Sequence, residues 1–405
     1  MSIPRTFISR LQARKASIFT PTLPHGTIKC RNITQTPLTG AASPRPISHA
    51  FDPATPPPPP TATPPFTFLH PNNLTTPEYQ HTITIIPPNL KVPWPTSLPC
   101  ALQSRYWREA DHAATDYLHT IFSSQPNTQT KEKYIATVSE AAVSYAINLI
   151  PLGNPARTKL LTRTFVLAFL HDDAVDKGNT DKNSHLMVPN TSSQSHTTGN
   201  EISNHTAFNI LRREILAENP TQGEILLRDI LSWGCVYQHQ KKPITFDSLE
   251  EYFLPALEDF GAGLILRTVE FSLNLPSFSS EERGELKVLK DLCARHMLLT
   301  NDLYSYAKEV VAEERGGERV FSAVRVVEQV MGVSDTSAKA ILRVVIRDLE
   351  GRMDEEYVRL QGMEGGLAGL YIAFHKHTII STYLFKPANQ PHPAKPNLQS
   401  DVTNN

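Results

Sequence analysis

Apolar residues recur every three or four positions along most of this 405-residue chain, from about Ala101 to Phe385. This spacing is typical of helices that place one face against a core. Alternating apolar and polar runs flanked by turn residues do not occur in this region, so we expect no sheet there. The pattern predicts one all-α domain over residues 96–385, with helices over 106–122, 133–149, 155–176, 206–218, 222–239, 246–275, 294–314 and 338–357.

One strongly apolar helix ends in carboxylates. Residues 161–170 are mostly apolar and run directly into His171, Asp172 and Asp173, with Asp176 one turn after Asp172. Repulsion between Asp172 and Asp176 on one helix face must be offset by a cation or by solvent, because unpaired buried charge is costly. Two interpretations are therefore open, a metal site or a hydrophilic helix end that leads into a loop.

The helix predicted over 294–314 carries a stripe of oxygen-bearing side chains. Asn301, Ser305 and Glu309 lie at i, i+4 and i+8, on one face of a segment without Gly or Pro. An amide, a hydroxyl and a carboxylate are the hard oxygen ligands that Mg²⁺ binds together with waters and phosphate oxygens. The stripe is either a metal-binding face or a solvated helix face.

The segment 246–275 has two glycines in its middle, Gly261 and Gly263. Each costs about 1 kcal/mol relative to alanine inside a helix. They predict either a break that brings the backbone close to a ligand, or tight packing and a kink. Residues 247–250 form a plausible capping region for this segment.

Both ends of the chain differ in composition from the helical body. Of the 33 prolines, 21 lie in the first hundred residues, so we expect residues 1–95 to be disordered and dispensable for folding. The start is basic and rich in Ser and Thr, which is typical of an organellar transit peptide. A dispensable leader or a misassigned start are the alternatives, and otherwise we expect a cytoplasmic protein. Residues 386–405 are polar and rich in Pro and Asn, and we expect a disordered tail.

Charge and cysteine usage exclude several classes of function. The net charge of −1 argues against a nucleic acid or an acidic membrane as the main partner, and no apolar run is long enough to span a bilayer. The four cysteines are widely separated and are typical of reduced thiols in an intracellular protein. Histidines in the polar stretch 177–205 have no helical ligand spacing, so we expect a surface loop there.

Two segments together resemble the paired metal motifs of class I terpene synthases: DDAVD at residues 172–176 and NDLYSYAKE at residues 301–309. The second is especially similar to the form found in fungal sesquiterpene cyclases of the aristolochene synthase type, and the resemblance extends over about 93–383. It implies the class I terpenoid synthase helical bundle. It also implies Mg²⁺-dependent ionisation of a linear prenyl diphosphate, farnesyl diphosphate in the first place, followed by cyclisation to a sesquiterpene.

The resemblance also implies roles for particular residues. Three Mg²⁺ ions are expected, with Asp172 bridging two, Asp173 and Asp176 nearby, and the third held by Asn301, Ser305 and Glu309. Lys308 matches the lysine that contacts the diphosphate. Candidates for an aromatic cup around the carbocation, each of which could instead be ordinary core, are Phe165, Phe169, Phe260, Phe271 and Tyr304.

The sequence departs from the family pattern at two phosphate-binding positions. Tyr252, Asp259 and Gly261 fit the family frame, but Ala256 stands where the family has an arginine that senses the diphosphate. Arg267, eleven residues after Ala256, is a possible substitute for that arginine. The stretch ending at Tyr383 in addition lacks the usual Arg-Tyr pair. Two alternatives therefore stay open: a catalytically weak homologue that still binds diphosphate, and a prenyltransferase, which would need a second Asp-rich motif that we do not find.

Overall fold

A computed structural model describes residues 44–45, 74, 77–85, 100–176, 199–235, 245–274, 279–316 and 319–361, and the account below concerns these residues. The prediction of an all-α fold is confirmed, because helices make up nearly all of the described body. They are α1 Trp107–Ile121, α2 Gln129–Leu149, α3 Pro155–Asp176, α4 Gly199–Glu218, α5 Pro220–Cys235, α6 Leu249–Asp259, α7 Ala262–Ser272, α8 Ser280–Glu285, α9 Lys287–Glu314, α10 Ala323–Met331 and α11 Asp335–Gln361.

The two helices that carry the candidate motifs, α3 and α9, lie in the interior of the bundle. α1, α2 and α3 pack on one another, and α9 packs against α6, α10 and α11. α7 contacts both α3 and α9 and so connects the two groups. α3 buries residues on several sides, among them Leu161, Val166 and Leu167. A helix that is apolar all round is stable only when other helices surround it.

The segment 246–275 forms two helices, because Gly261 interrupts it. Gly261 has φ +72°, a left-handed conformation that favours glycine, and ends α6 before α7 begins. A Cβ at this position would lie 2.8 Å from the indole Nε1 of Trp233. That indole donates a hydrogen bond to the backbone oxygen of Asp259 at 3.2 Å. Gly263 is exposed and has open space around it, so only one of the two glycines is required by the break.

The start of α6 confirms the predicted capping region. The hydroxyl of Ser248 accepts a hydrogen bond from the backbone N–H of Glu251 at 3.2 Å. The carboxylate of Glu251 in turn accepts the N–H of Asp247 at 3.0 Å. These contacts satisfy donors that a helix start leaves without partners.

The body is preceded by a small antiparallel sheet that the sequence pattern did not predict. β1 Thr82–Ile85 pairs with β2 Ala101–Ser104, with Thr82 opposite Ser104 and Ile85 opposite Ala101. The prediction of disorder up to residue 95 is therefore wrong for 77–85, and the expectation of no strand is wrong for β2. All four residues of β2 are buried, so the alternation that marks a half-exposed strand is absent.

Arg45 attaches a more distant part of the N-terminal region to the body, which is a second correction to the predicted disorder. Its backbone N–H donates to the side chain of Gln103 in β2 at 2.6 Å. Its guanidinium donates to both carboxylate oxygens of Glu140 in α2 at 3.1 and 2.6 Å, and to the hydroxyl of Ser144 at 2.8 Å. A bidentate pair of this kind fixes both position and orientation.

Several predicted boundaries move. α4 begins at Gly199, inside the stretch expected to be a loop, and α9 begins at Lys287, seven residues before the predicted start. The predicted end of α5 at residue 239 lies outside the described residues. The proposed transit segment, the tail 386–405 and the stretch ending at Tyr383 lie outside the described residues. In the described part, no helix is both long and apolar enough to cross a bilayer.

Candidate active site

The first motif lies at the end of α3, where the chain emerges from the core. Asp172 and Asp173 are half-buried, and the hydroxyl of Tyr134 in α2 donates a hydrogen bond to Asp173 at 3.1 Å. Burial raises the pKa of Tyr134, and the Asp173 carboxylate raises it further. The phenol therefore stays protonated and remains a donor. Asp176 is the last residue of α3, and its side chain is outside the described part.

His171, directly before the aspartates, is engaged with the backbone rather than poised as a metal ligand. It is buried, and its Nε2 lies 2.9 Å from the carbonyl oxygen of Gly234 near the end of α5. Its ring packs edge-on against Trp233, with centroids 5.9 Å apart. This contact ties the end of α3 to the end of α5.

The second motif lies on consecutive turns of α9. Ser305 is buried with 6% of its surface exposed, Asn301 and Glu309 are half-buried, and Lys308 is exposed. The helix spans 28 residues without Gly or Pro, so local propensity and packing both favour it. The predicted arrangement of the three oxygen-bearing side chains along one helix is thus present.

Asp302, inside the second motif, is a functional candidate that the sequence pattern did not reveal. It is buried, and its Oδ2 accepts the hydroxyl of Tyr252 in α6 at 2.7 Å and the N–H of Ala323 at the start of α10 at 2.8 Å. The pKa of Tyr252 is raised well above its ordinary value, first by burial and then by the carboxylates of Asp302, Glu309 and Asp259. Tyr252 therefore stays protonated and donates to the residue that directly follows Asn301.

A continuous series of contacts connects the two motifs. His171 meets the end of α5 at Gly234, Trp233 meets the end of α6 at Asp259, and Tyr252 of α6 meets Asp302 of α9. The break at Gly261 lies within this series. α5 and α6 thus connect the two motif helices through these hydrogen bonds.

The available donors fit a magnesium site that shares its ligands with a substrate. Within the described residues, no three His, Cys, Asp or Glu side chains converge as a metal cluster of their own. The stripe on α9 instead offers one amide, one hydroxyl and one carboxylate, and α3 offers half-buried carboxylates. Mg²⁺ usually binds through one or two carboxylates and completes its shell with waters and phosphate oxygens, rather than in an all-protein cage.

The aromatic candidates do not form a single group. Phe165 and Phe169, two turns and one turn before the aspartates, both pack edge-on against Tyr145, at 4.8 and 5.6 Å between centroids. Phe271 is buried at the opposite end of α3, where the guanidinium of Arg157 lies 5.1 Å from its ring. That position is about 22 Å along the α3 axis from the first aspartate, at 1.5 Å per residue. Two further candidates, half-buried against the core, are Phe260 and Tyr304.

Most cations described near the second motif are held in ion pairs: Arg325 and Lys339 lie over the ring of Tyr306 and are paired with Glu313 and Asp335. Ala256 is buried one turn after Tyr252, on the face of α6 where the family arginine would stand. Arg267 does not replace it, because its guanidinium is paired with Asp229 at 2.9 Å and with Glu270. Lys308 is exposed and forms no ion pair with any residue in the described ranges. It is therefore available to an anionic ligand.

A family model described as "Terpene synthase family 2, C-terminal metal binding" matches residues 163–352. The match begins in α3, ends in α11 and includes both motifs. The chain is also similar to curated fungal proteins. It is 30% identical to terpene cyclase 6 of Gibberella fujikuroi over 299 residues, which cover 68% of this chain and 76% of that protein. It is 29% identical to terpene cyclase aneC of Aspergillus aculeatus over 311 residues, covering 73% and 69%.

Among solved structures, the aristolochene synthase of Penicillium roqueforti has a similar fold. The TM-score is 0.56 at 18% identity, and the match covers 70% of this chain and 95% of that one. At this identity the likeness concerns the fold alone.

Proposed function

The chain belongs to the terpene synthase family, and from that premise we propose that it is a sesquiterpene cyclase, a carbon–oxygen lyase that ionises farnesyl diphosphate and cyclises the resulting cation. The observation that carries this proposal is the stripe of Asn301, Ser305 and Glu309 on the buried helix α9. Its donors have the chemistry that a magnesium-bound diphosphate requires.

In this proposal the two motifs share the ions. Asn301, Ser305 and Glu309 would hold one Mg²⁺, and Asp172 would hold the others together with Asp173 and Asp176. Bound Mg²⁺ supplies positive charge that stabilises the leaving diphosphate. Tyr134, which donates to Asp173, orients one carboxylate of the first motif.

The remaining residues bind the substrate and protect the cation. Lys308 supplies a positive charge to the diphosphate. Phe165 and Phe169 present aromatic faces near the aspartates, and such faces favour cations, with Phe260 and Tyr304 as further wall candidates. Phe271 is assigned to packing, because it lies beside Arg157 at the far end of α3. The apolar helices around α3 and α9 exclude water, which would otherwise quench the cation.

A second candidate function is diphosphate binding with weak or no turnover. Two observations favour it: Ala256 provides no guanidinium, and Arg267 is held in ion pairs. Fewer cations around the leaving group mean less stabilisation of its developing charge. A prenyltransferase has no observation of this kind in its favour.

The deciding experiment incubates the purified full-length chain with geranyl, farnesyl or geranylgeranyl diphosphate plus Mg²⁺ and identifies volatile products by mass spectrometry. We expect a sesquiterpene from farnesyl diphosphate that disappears when EDTA removes the metal. Stabilisation by pyrophosphate and Mg²⁺ without product from any of the three substrates would establish the second candidate instead.

The first prediction concerns a single ligand on α9. Asn301→Ala removes an oxygen donor but keeps good helix propensity, so we expect a folded protein whose turnover falls by at least about tenfold, equivalent to about 1.4 kcal/mol. Asn209→Ala changes an exposed asparagine of α4 and should leave turnover unchanged. Equal rates for Asn301→Ala and the parent would refute the metal assignment.

Lys308→Ala should also lower turnover, because Ala256 provides no guanidinium and Arg267 is held in ion pairs. Lys287→Ala is the matched control, since Lys287 is an exposed lysine at the start of the same helix. Similar rates for the two lysine variants would show that Lys308 does not contact the diphosphate.

A further inference from the structure

Asp302 joins three elements through one carboxylate oxygen. Its Oδ2 accepts the hydroxyl of Tyr252 from α6 and the backbone N–H of Ala323 from α10. Tyr252 is 1% exposed and Asp302 is 6% exposed. A buried carboxylate is costly unless hydrogen bonds satisfy it. The contact is therefore specific, because neither partner can move away without leaving a buried polar group unpaired.

The place of Asp302 in α9 connects this contact to the candidate ligands. Asp302 directly follows Asn301 and precedes Ser305 by three residues and Glu309 by seven. At 3.6 residues per turn, positions seven apart lie within about 20° of each other around a helix. A contact that fixes the direction of Asp302 therefore also fixes the direction of Glu309.

A second contact between α6 and α9 lies on the same stripe. Arg295, seven residues before Asp302, donates to both carboxylate oxygens of Glu250 in α6 at 2.7 and 2.9 Å. The Arg295 guanidinium also stacks over the ring of Phe253, 4.4 Å from its centroid. Arg295, Asp302 and Glu309 thus form one stripe, and the first two members hold it against α6.

The rotation of α9 matters because magnesium coordination tolerates little displacement. A side chain on a helix lies about 5–6 Å from the axis, so a rotation of about 20° would move a ligand oxygen by roughly 2 Å. Mg²⁺ requires near-octahedral ligands at about 2.0–2.1 Å. A small rotation of α9 would therefore be enough to lose a protein ligand.

We propose that Tyr252 and Asp302 are positioning residues that hold the metal-binding face of α9 in register, through the buried contact between α6, α9 and the start of α10. The inference rests on the proposed function, since it assigns these residues to the same site. Neither residue touches the substrate. In this chain α6 supports α9 through the contact between Tyr252 and Asp302. One turn later, at Ala256, α6 provides no guanidinium.

Tyr252→Phe tests the proposal, because it removes one hydroxyl and keeps the ring. Tyr117→Phe is a matched control: Tyr117 is also buried, and its hydroxyl also makes one hydrogen bond, to the backbone oxygen of Ala207 at 2.8 Å. Mg²⁺ is titrated into each protein at a fixed pyrophosphate concentration, and binding is followed by calorimetry. Melting temperatures without metal report the structural cost of each change.

We expect Tyr252→Phe to raise the half-saturating Mg²⁺ concentration by about tenfold or more, as is usual when a group that orients a metal ligand is lost. Tyr117→Phe should leave it unchanged, although both variants lose some thermal stability. If both variants lose only stability and bind Mg²⁺ like the parent, the role is structural and the proposal is wrong.

Asp302→Asn gives an independent reading, since it replaces a charged acceptor with a neutral amide oxygen, which accepts the same two hydrogen bonds more weakly. Like Tyr252→Phe, it should raise the half-saturating Mg²⁺ concentration. The double variant Tyr252→Phe/Asp302→Asn should need no more Mg²⁺ than whichever single variant binds Mg²⁺ less tightly. If the two substitutions instead lower the Mg²⁺ affinity additively, the two residues do not act through one shared contact.

The binding measurement separates this inference from the proposed function. If the parent binds Mg²⁺ and pyrophosphate but shows no turnover, the cyclase proposal is wrong. The role of Tyr252 and Asp302 in positioning α9 can still be tested in that case. If the parent does not bind Mg²⁺ in the presence of pyrophosphate, both the metal site and the positioning role of Tyr252 and Asp302 are wrong.

Discussion

The chemical reactivity of two cysteines in the interior depends on their surroundings. Cys100 and Cys293 are both buried, and the thiol of Cys293 lies 3.6 Å from the sulfur of Met353. Burial raises the pKa of Cys100 to about 12 and that of Cys293 well above its ordinary value. A thiol reacts as its thiolate, so both should be inert in the folded protein.

This gives a prediction that alkylation can check. At pH 8 a thiol with a pKa of about 12 is ionised in only about one molecule in ten thousand. We expect iodoacetamide to label Cys100 and Cys293 only after unfolding in denaturant, with the sites identified by peptide mass spectrometry. Rapid labelling of either residue in the native protein would show that this part of the core opens.

At the same scale, residues differ in how far the sequence reveals them. Asn301, Ser305 and Glu309 were predictable because helical spacing is a local property. The partners of Asp302 were not, because Tyr252 lies 50 residues away in the chain and Ala323 lies 21 residues away. Tyr134 was missed for the same reason, since 39 residues separate it from Asp173. The engagement of Arg267 by Asp229 is likewise a property of packing alone.

At the scale of elements, long periodic helices were recognised and short or interrupted ones were not. α3 covers the predicted residues 155–176, because a long apolar run that leads into carboxylates is recognisable from the sequence. β1 and β2 have four residues each. β1 alternates but lies in a proline-rich segment, and all of β2 is buried, so neither was recognised as a strand. In the segment 246–275, periodicity alone could not say which glycine ends the helix, since the reason is the indole of Trp233.

The two glycines allow a paired test of this break. Gly261→Ala should destabilise the protein by at least about 1–2 kcal/mol, because alanine disfavours a positive φ and its Cβ would meet Trp233 at 2.8 Å. Gly263→Ala should be neutral or stabilising by up to about 1 kcal/mol, since it is exposed in α7 with open space around it. Thermal unfolding of the two variants measures both effects. Equal melting temperatures would show that the break does not depend on the left-handed residue.

At the scale of the whole molecule, the described residues of the N-terminal region, 44–45, 74 and 77–85, are part of the folded unit. Ile85 is fully buried opposite Ala101, and Tyr79 and Leu74 are also buried in the core. Composition could not predict this, because proline content reports on the average of a segment and not on the few residues that dock. The family model matches residues 163–352, so it gives no information about these N-terminal contacts.

Truncation tests this integration. A chain that starts at residue 91 loses β1, Tyr79 and Arg45, and each large apolar side chain lost contributes about 1.5–3 kcal/mol of burial. It also leaves the backbone groups of β2 without their partners. We expect a clearly lower melting temperature than for the parent. A chain that starts at residue 44 keeps every described contact and is the control, so equal melting of the two truncated chains would restore the earlier expectation of a dispensable segment.

The attachment of Arg45 has a consequence for synthesis of the chain in the cell. Arg45 and Glu140 are 95 residues apart, and ribosomes add about 5–20 residues per second. Glu140 is therefore made roughly 5–20 s after Arg45, and α2 is complete only later still. During that interval the Arg45 guanidinium cannot bind the Glu140 carboxylate, because Glu140 has not yet been made. Arg45 is consequently among the later residues of this region to reach its final position, after the helix that binds it has been made.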